Sequence, residues 1–168
     1  LKKVQEDTGC RILLAQKAFS TFFAYPLIRE YLAGSTASGL YEARLGREEF
    51  GRETHVFSPA YREDEFQELL QYADHIVFNS IHQLKAFGPR GKQAGKSLGL
   101  RVNPECSTQE GHAIYDPCVE GSRFGILADA LHAADLTGID GLHFHTLCEQ
   151  NADALAETLE VVERDFGD

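Results

Sequence analysis

Short apolar runs alternate along the chain with longer segments in which apolar residues recur at helical spacing. This alternation is typical of parallel β/α units, in which each strand is followed by a helix that packs on the sheet. Because runs such as IVF and LHF show little polar alternation, we expect strands that are buried on both faces. Six strands are predicted, at residues 12–16, 35–37, 54–57, 75–79, 99–103 and 141–145.

Helical spacing and helix-end signals fill the segments between these strands. Three acidic residues open the helix at 63–72, where they complement the helix dipole, and Gly34 follows the first long helix at a position suited to a C-cap. Pro26 is expected to kink that first helix. Helices are predicted at residues 19–32, 39–45, 63–72, 81–87, 125–134 and 153–166.

Six β/α units are compatible with two folds, an open doubly wound sheet or part of an eight-stranded barrel. One connection, residues 104–123, is much longer than the others and is rich in Gly, Cys, His and acidic residues. A loop of this length is usually functional or disordered. It follows a strand, on the side where such folds place their sites.

Composition narrows the class of protein. With 168 residues and 43% hydrophobic content, the chain has the length of one domain and enough apolar material for a core. Its formal net charge of −10 argues against nucleic acid as a partner, because phosphate binding needs a basic surface. No apolar run approaches the roughly 18 to 20 residues that span a bilayer, so we expect a cytoplasmic protein without a membrane partner.

Cysteine and methionine usage adds two expectations. The four cysteines are too few and too scattered for a disulfide framework and are interpreted as free thiols, although Cys106 and Cys118 could form a bridge. The sequence contains no methionine and begins with Leu-Lys-Lys-Val, as if inside a helix. We therefore expect a piece of a longer protein.

Reactive or charged side chains occur at or just beyond the ends of several predicted strands. In a β/α barrel these ends meet on one face, so residues far apart in sequence would line a single pocket. The candidates are Lys17, Arg101, His143, His145 and Cys148.

Two of these candidates have both a structural and a chemical interpretation. A strand-end lysine usually extends into solvent, but a buried Lys17 with a lowered pKa could form a Schiff base with an aldehyde. Arg101 could occupy an exposed edge, or its planar guanidinium could bind a phosphate or a carboxylate. The turns at residues 121–126 and 38–42 could likewise bind an anion or simply begin a helix.

His143 and His145 lie on the same side of a strand because side chains alternate with period two. Together with Cys148, and with His112 or Asp116 from the long connection, they could be zinc ligands, although their spacing matches no standard zinc motif. Either ring could instead pack in a core or stack on a cofactor.

Six segments, in order, match one protein family across essentially the whole chain. They are L14-A-Q-K-A-F-S20, S38-G-L-Y-E-A-R-L-G-R-E-E-F50, L100-R-V-N-P-E105, C106-S-T-Q-E-G-H-A-I-Y-D-P-C118, G121-S-R-F-G125 and G141-L-H-F-H145. The chain resembles the carboxynorspermidine (carboxyspermidine) decarboxylases, most specifically in the cysteine-bracketed segment. These are pyridoxal 5'-phosphate (PLP)-dependent decarboxylases with an alanine-racemase-like barrel, related to ornithine and diaminopimelate decarboxylases.

The resemblance implies a role for each matching residue. Lys17 matches the catalytic lysine that joins the PLP aldehyde, Arg101 the strand arginine near the cofactor, and His145 the histidine that stacks on the pyridine ring. Cys148 falls where relatives often carry a serine close to the phosphate, and this departure puts the phosphate contact in doubt. His143 receives no role, and no metal ligand is implied.

The resemblance implies an α/β fold, a parallel (β/α)8 TIM-type barrel that is present here as a partial barrel truncated at both ends. Residues 1–168 would be the central part of the PLP-binding domain, without the C-terminal β domain or the residues that select the substrate. Three loop residues remain as candidates for substrate binding: His112, Tyr115 and Asp116. A full-length homodimer acting on a small polyamine-type substrate is the expected enzyme.

Three alternatives stay open at this point. The chain could come from an ornithine or diaminopimelate decarboxylase, against which the segment from Cys106 to Cys118 argues. It could be a metal-dependent barrel hydrolase that uses His143 and His145. It could also be a non-catalytic homologue that binds a partner, against which the retained Lys17 speaks.

Overall fold

The sheet contains six parallel strands that lie side by side in their sequence order. The computed structural model describes residues 1–109 and 113–167. A doubly wound sheet reverses its strand order at a switch point, whereas a barrel adds each strand beside the preceding one. The fold is therefore a half-barrel. Its strands are β1 Leu13–Ala15, β2 Gly34–Ala37, β3 Glu53–Phe57, β4 His75–Phe78, β5 Ser97–Arg101 and β6 Gly141–His143.

Helices connect the strands and cover one face of the sheet. The α-helices are α1 Lys2–Thr8, α2 Tyr25–Ile28, α3 Leu40–Leu45, α4 Glu63–Tyr72, α5 Ile81–Gln93, α6 Ala128–His132 and α7 Ala152–Phe166. Short 3₁₀ turns occupy Phe22–Ala24 and Ala113–Tyr115, and a π-helical segment, Gly46–Phe50, continues α3. None of the described helices combines the length and apolar character needed to cross a membrane.

All six predicted strands are confirmed, with ends that differ by at most two residues. The long helix predicted at residues 19–32 is wrong, because the segment contains only a 3₁₀ turn and the four-residue α2. Pro26 lies in the first turn of α2, where its missing N–H costs no intrahelical hydrogen bond, so it begins the helix instead of kinking it. The helix predicted at 125–134 is shorter, and that predicted at 81–87 continues to Gln93.

The strands are buried on one face, not on both as predicted. In β4, Ile76 and Phe78 are fully buried under the helices, whereas Val77 between them is only half-buried. Leu142 in β6 is 40% exposed. The six strands leave β1 and β6 as sheet edges, so the inner face of the half-barrel remains an open concave surface.

Two clusters of buried side chains form the core. The larger packs α3, α4 and α5 against the outer face of β3 to β5 around Phe66, Phe78 and Phe87. The smaller consists of Tyr25, Leu32 and Phe50 beneath β1 and β2. Both clusters lie on the helix side, so the concave side is free to carry polar and chemical groups.

Candidate active site

A cavity of about 1030 Å³ occupies the concave face of the half-barrel. Residues from all six strands contribute to its wall. Four of the candidates named from sequence line it together: Lys17, Arg101, His143 and His145. The topological prediction that these strand-end residues meet on one face agrees with this arrangement.

Lys17 reaches the cavity because the residue before it is firmly anchored. Gln16 is buried, its Oε1 accepts a hydrogen bond from the Tyr25 hydroxyl at 3.1 Å, and its Nε2 donates to the Glu42 carbonyl at 2.9 Å. Gln16 and Lys17 lie in the turn that follows β1, in which the Ala18 N–H donates to the Ala15 carbonyl at 3.0 Å, so the anchored Gln16 fixes the start of the turn that carries Lys17. The Lys17 side chain is exposed on the open cavity, so the burial assumed in the Schiff-base interpretation is not observed.

Arg101 is the last residue of β5 and is only 6% exposed. β5 lies between β4 and β6, so the alternative of an exposed edge position is wrong. The guanidinium carbon lies 4.8 Å from the ring centre of Phe57 and 4.9 Å from that of Phe124. Burial lowers the pKa of Arg101, but a guanidinium remains charged in proteins, so the cavity contains a desolvated positive charge.

The hydrogen bonds of Arg101 are incomplete. One terminal nitrogen donates weakly to the His145 carbonyl at 3.5 Å, and the buried Nε has no partner among the described residues. A buried donor without a partner is costly in a folded protein, so such donors commonly serve a ligand. Its Nε is therefore available to an anion or a polar heteroatom in the cavity.

The end of β4 fixes the position of Phe124 over Arg101. The Asn79 amide donates to the Arg123 carbonyl at 2.8 Å, and its oxygen accepts a hydrogen bond from the Gly125 N–H at 2.9 Å. Gly125 has a φ of +90°, and a Cβ there would lie 2.7 Å from the Val102 carbonyl carbon. Neither Asn79 nor Phe124 was predicted from sequence as a site residue. The glycine that follows the aromatic Phe124 is only a weak signal that this ring packs on a charged strand end.

The turns at residues 121–126 and 38–42 were possible anion sites, but the structure favours the alternative for both. Ile126 pairs with Val102 as a parallel bridge, and α6 begins only at Ala128 and has five residues. At residues 38–42, the Glu42 carboxylate itself accepts the Ser38 N–H at 2.6 Å. Both turns are therefore structural connections.

His143, which ends β6, and His145, two residues beyond it, differ in their surroundings. His143 pairs in register with Arg101, packs 5.2 Å from the Phe57 ring centre, and has a buried Nδ1 without a partner among the described residues. Burial, then the charges of Arg101 and His145, lowers its pKa to about 4. Burial, then Arg101 and Lys17, also lowers the pKa of His145. Both imidazoles are therefore neutral near pH 7.

The remaining candidates are more peripheral. Cys148 is exposed and does not line the cavity, and all four cysteines are free thiols, as the sequence predicted. Tyr115 and Asp116 line the cavity rim, but the Asp116 carboxylate already accepts hydrogen bonds from the Ser107 hydroxyl and the Cys118 N–H. His112 lies outside the described residues.

The chemistry of the lining suits a flat anionic compound with a carbonyl group. A primary amine, a desolvated guanidinium with a free N–H and two neutral imidazoles face one space. An amine can add to an aldehyde, a guanidinium binds anionic oxygens, and an imidazole ring can stack on a heterocycle. Of the described residues, the set that could hold a metal ion is not this one but Glu53, His55 and His75.

Comparison with known proteins gives relatives over the whole chain. No family model matches. The chain is 44% identical over 167 residues to a carboxynorspermidine/carboxyspermidine decarboxylase of Campylobacter jejuni. The aligned region covers 99% of this chain and 43% of that relative. It is 41% identical over 167 residues to a carboxyaminopropylagmatine decarboxylase of Synechocystis, with the same two coverages of 99% and 43%.

A solved structure agrees with the sequence relatives. The crystal structure of carboxynorspermidine decarboxylase from Campylobacter jejuni, complexed with norspermidine, superposes with a TM-score of 0.88 at 42% identity. The match covers 99% of this chain and 42% of that one. The chain thus spans under half the length of the relatives that it matches.

Proposed function

Because the chain is a homologue of the carboxynorspermidine/carboxyspermidine decarboxylases over its whole length, we propose that it forms part of a PLP-dependent decarboxylase. The proposed reaction converts carboxynorspermidine to norspermidine and CO2, and carboxyspermidine to spermidine and CO2. The observation that supports it most is that Lys17, Arg101 and His145, which lie at or just beyond the ends of three different strands, line one cavity.

The described residues fit the proposed cofactor. The amine of Lys17 would hold the PLP aldehyde, the free Nε of Arg101 would face its polar substituents, and the neutral ring of His145 would lie against its pyridine. When bound, PLP supplies an electron sink for the pair that remains when CO2 leaves. Cys148 is exposed outside the cavity, which leaves its proposed phosphate contact without support.

The chain's own residues would orient charge and move a proton. Lys17 lines the cavity with an exposed side chain, so its amine could bind a carbonyl carbon and return a proton to a substrate carbon. Arg101 keeps a fixed positive charge between Phe57 and Phe124, where it can orient an anionic group without moving. His145 stays uncharged, so it can stack without repelling a protonated heterocycle.

The relatives and the charge of the chain support the proposed substrate class. The related crystal structure was solved with norspermidine, and a net charge of −10 would attract a polycation toward the protein. Carboxyaminopropylagmatine is a second candidate substrate, favoured by the 41% identity to an enzyme of that name. We propose that the full-length enzyme acts in the cytoplasm as a homodimer.

A trapping experiment tests the role of Lys17. The protein is incubated with PLP, reduced with borohydride and digested, and the modified peptide is identified by mass spectrometry. We expect label at Lys17, and loss of that label in Lys17→Ala but not in the control Lys85→Ala, whose side chain is exposed on α5. Label on any other lysine contradicts the assignment.

Substrate choice is tested by CO2 release. CO2 release by the full-length wild type is compared with that by Lys17→Ala. The substrates tested are carboxynorspermidine, carboxyspermidine, carboxyaminopropylagmatine, ornithine and diaminopimelate. The highest kcat/KM with the first two supports the proposal, and the highest with carboxyaminopropylagmatine supports the second candidate. Release that is equal in wild type and Lys17→Ala contradicts catalysis by this site.

A further inference from the structure

Three metal-ligating side chains meet at the amino end of the concave face, and two of them, His55 and His75, line the same cavity as Lys17. His55 of β3 and His75 of β4 are partners in strand register, and their rings stack with centres 4.0 Å apart. His55 Nε2 lies 3.3 Å from Glu53 Oε2. One donor atom from each of Glu53, His55 and His75 lies within 4.8 Å of the others.

This group lies at the opposite end of the strands from the Lys17 site. His75 begins β4 and pairs with Ser97, which begins β5, whereas Arg101 ends β5. Arg101 is four positions after Ser97, which corresponds to about 13 Å along a strand. A ligand held by the histidine pair would therefore occupy the amino end of the concave face.

Packing alone explains the cluster less well than ligand binding does. Packing of two rings does not require the Glu53 carboxylate, which lies 3.3 Å from His55 Nε2 and adds a third donor atom to the stacked pair. Arg11 engages Oε1 of Glu53 at 2.7 Å and leaves Oε2 directed at His55.

We propose that Glu53, His55 and His75 bind one divalent transition-metal ion of the zinc class. Two imidazole nitrogens and one carboxylate oxygen form a donor set that suits zinc, with water in the fourth position. The rings are 14° from parallel, so one imidazole must rotate before both nitrogens can point at one ion. His55 Nε2, which faces Glu53, would bind the ion with the ring hydrogen on Nδ1, and the ion would cross-link the amino ends of β3 and β4.

Calorimetric titration with Zn²⁺ alone tests the site. Because free thiols also bind zinc, the exposed Cys10 and Cys148 are first replaced by serine. We expect one ion per chain, and an affinity at least ~100-fold lower in His75→Ala and Glu53→Gln, since even the loss of a supporting contact costs up to that factor. His82→Ala, which removes an exposed histidine from α5, is the matched control and keeps the affinity.

Two further readouts separate this site from adventitious binding. The absorption spectrum of Co²⁺ bound at this site should be that of nitrogen and oxygen ligands. Zn²⁺ should raise the Tm of the His82→Ala control but not that of Glu53→Gln. Circular dichroism checks folding, and Glu53→Gln decides the question if His75→Ala does not fold. A thiolate charge-transfer band, or a 1:1 affinity unchanged in Glu53→Gln, overturns the proposal, as does the lack of a 1:1 site in the wild type.

Discussion

At the scale of single residues, the cavity is marked by two buried polar atoms that have no hydrogen-bond partner among the described residues. Arg101 Nε and His143 Nδ1 are both buried without partners among the described residues, and the two residues are neighbours in register. Leaving two such atoms unpaired costs stability, which a functional site can tolerate when a ligand completes the bonds. The structure therefore makes His143 a candidate for ligand contact, a role that its sequence context did not indicate.

His143 should make stability depend on pH. Its pKa in the folded chain is about 4, below the ordinary value near 6.5, so between these values the unfolded chain binds more protons. The stabilising contribution is complete above pH 6.5 and is lost as pH falls toward 4. Urea unfolding measured across this range should show a smaller slope in His143→Gln than in wild type.

His82→Gln is the control for this measurement, because His82 is exposed on α5. It should leave the slope of the free energy of unfolding against pH as in wild type. NMR titration of the His143 imidazole gives an independent readout. A midpoint near 6.5 in the folded protein would contradict the expected shift.

At the scale of elements, β4 organises the loop that follows β5. Asn79 holds the backbone on both sides of Phe124, and Phe124 in turn covers Arg101. The connection that sequence marks as long is thus fixed near its end by a neighbouring strand. Loop position and guanidinium position are coupled through one side chain.

Replacing Asn79 by alanine should loosen this coupling. The change leaves the Arg123 carbonyl and the Gly125 N–H without their partner, which should lower the free energy of unfolding by about 1–3 kcal/mol. Chemical denaturation measures the loss. Asn151→Ala is the matched control, because Asn151 is exposed before α7 and makes no capping hydrogen bond. Equal losses in the two variants would contradict the role of Asn79.

At the scale of the whole molecule, stability and chemistry lie on opposite faces of the sheet. The buried clusters lie between the sheet and its helices, whereas the concave face holds the cavity and the histidine pair. The separation follows from the barrel, in which side chains alternate between the helix layer and the interior. Substitutions on the two faces should therefore have different effects.

Phe66 provides the stability test for the helix side. It is 1% exposed and contacts Phe78 and Phe87, so Phe66→Ala should lower the free energy of unfolding by about 3–5 kcal/mol. Phe23→Ala removes the same side chain from a position that is 80% exposed and should cost far less. Denaturation of both variants measures the difference, and similar losses would contradict the described core.

Sequence periodicity predicted the strands well because each apolar run is local and bounded by turn residues. It failed at residues 19–32, where aromatic spacing imitates a helix but the chain must turn back after α2 to begin β2. It also predicted burial on both faces, because local pattern does not reveal that β1 and β6 remain sheet edges. The candidates Lys17, Arg101 and His145 came from strand ends and from family resemblance, not from any single motif.

The sequence by itself determined the order of β/α units and the residues that end the strands, because strand propensity and side-chain alternation act over a few residues. Only the tertiary structure decided that Phe57 and Phe124 enclose Arg101, that Asn79 fixes the loop, and that the histidines of β3 and β4 stack. These contacts join segments far apart in the chain. Their geometry depends on strand register and curvature, which local sequence does not specify.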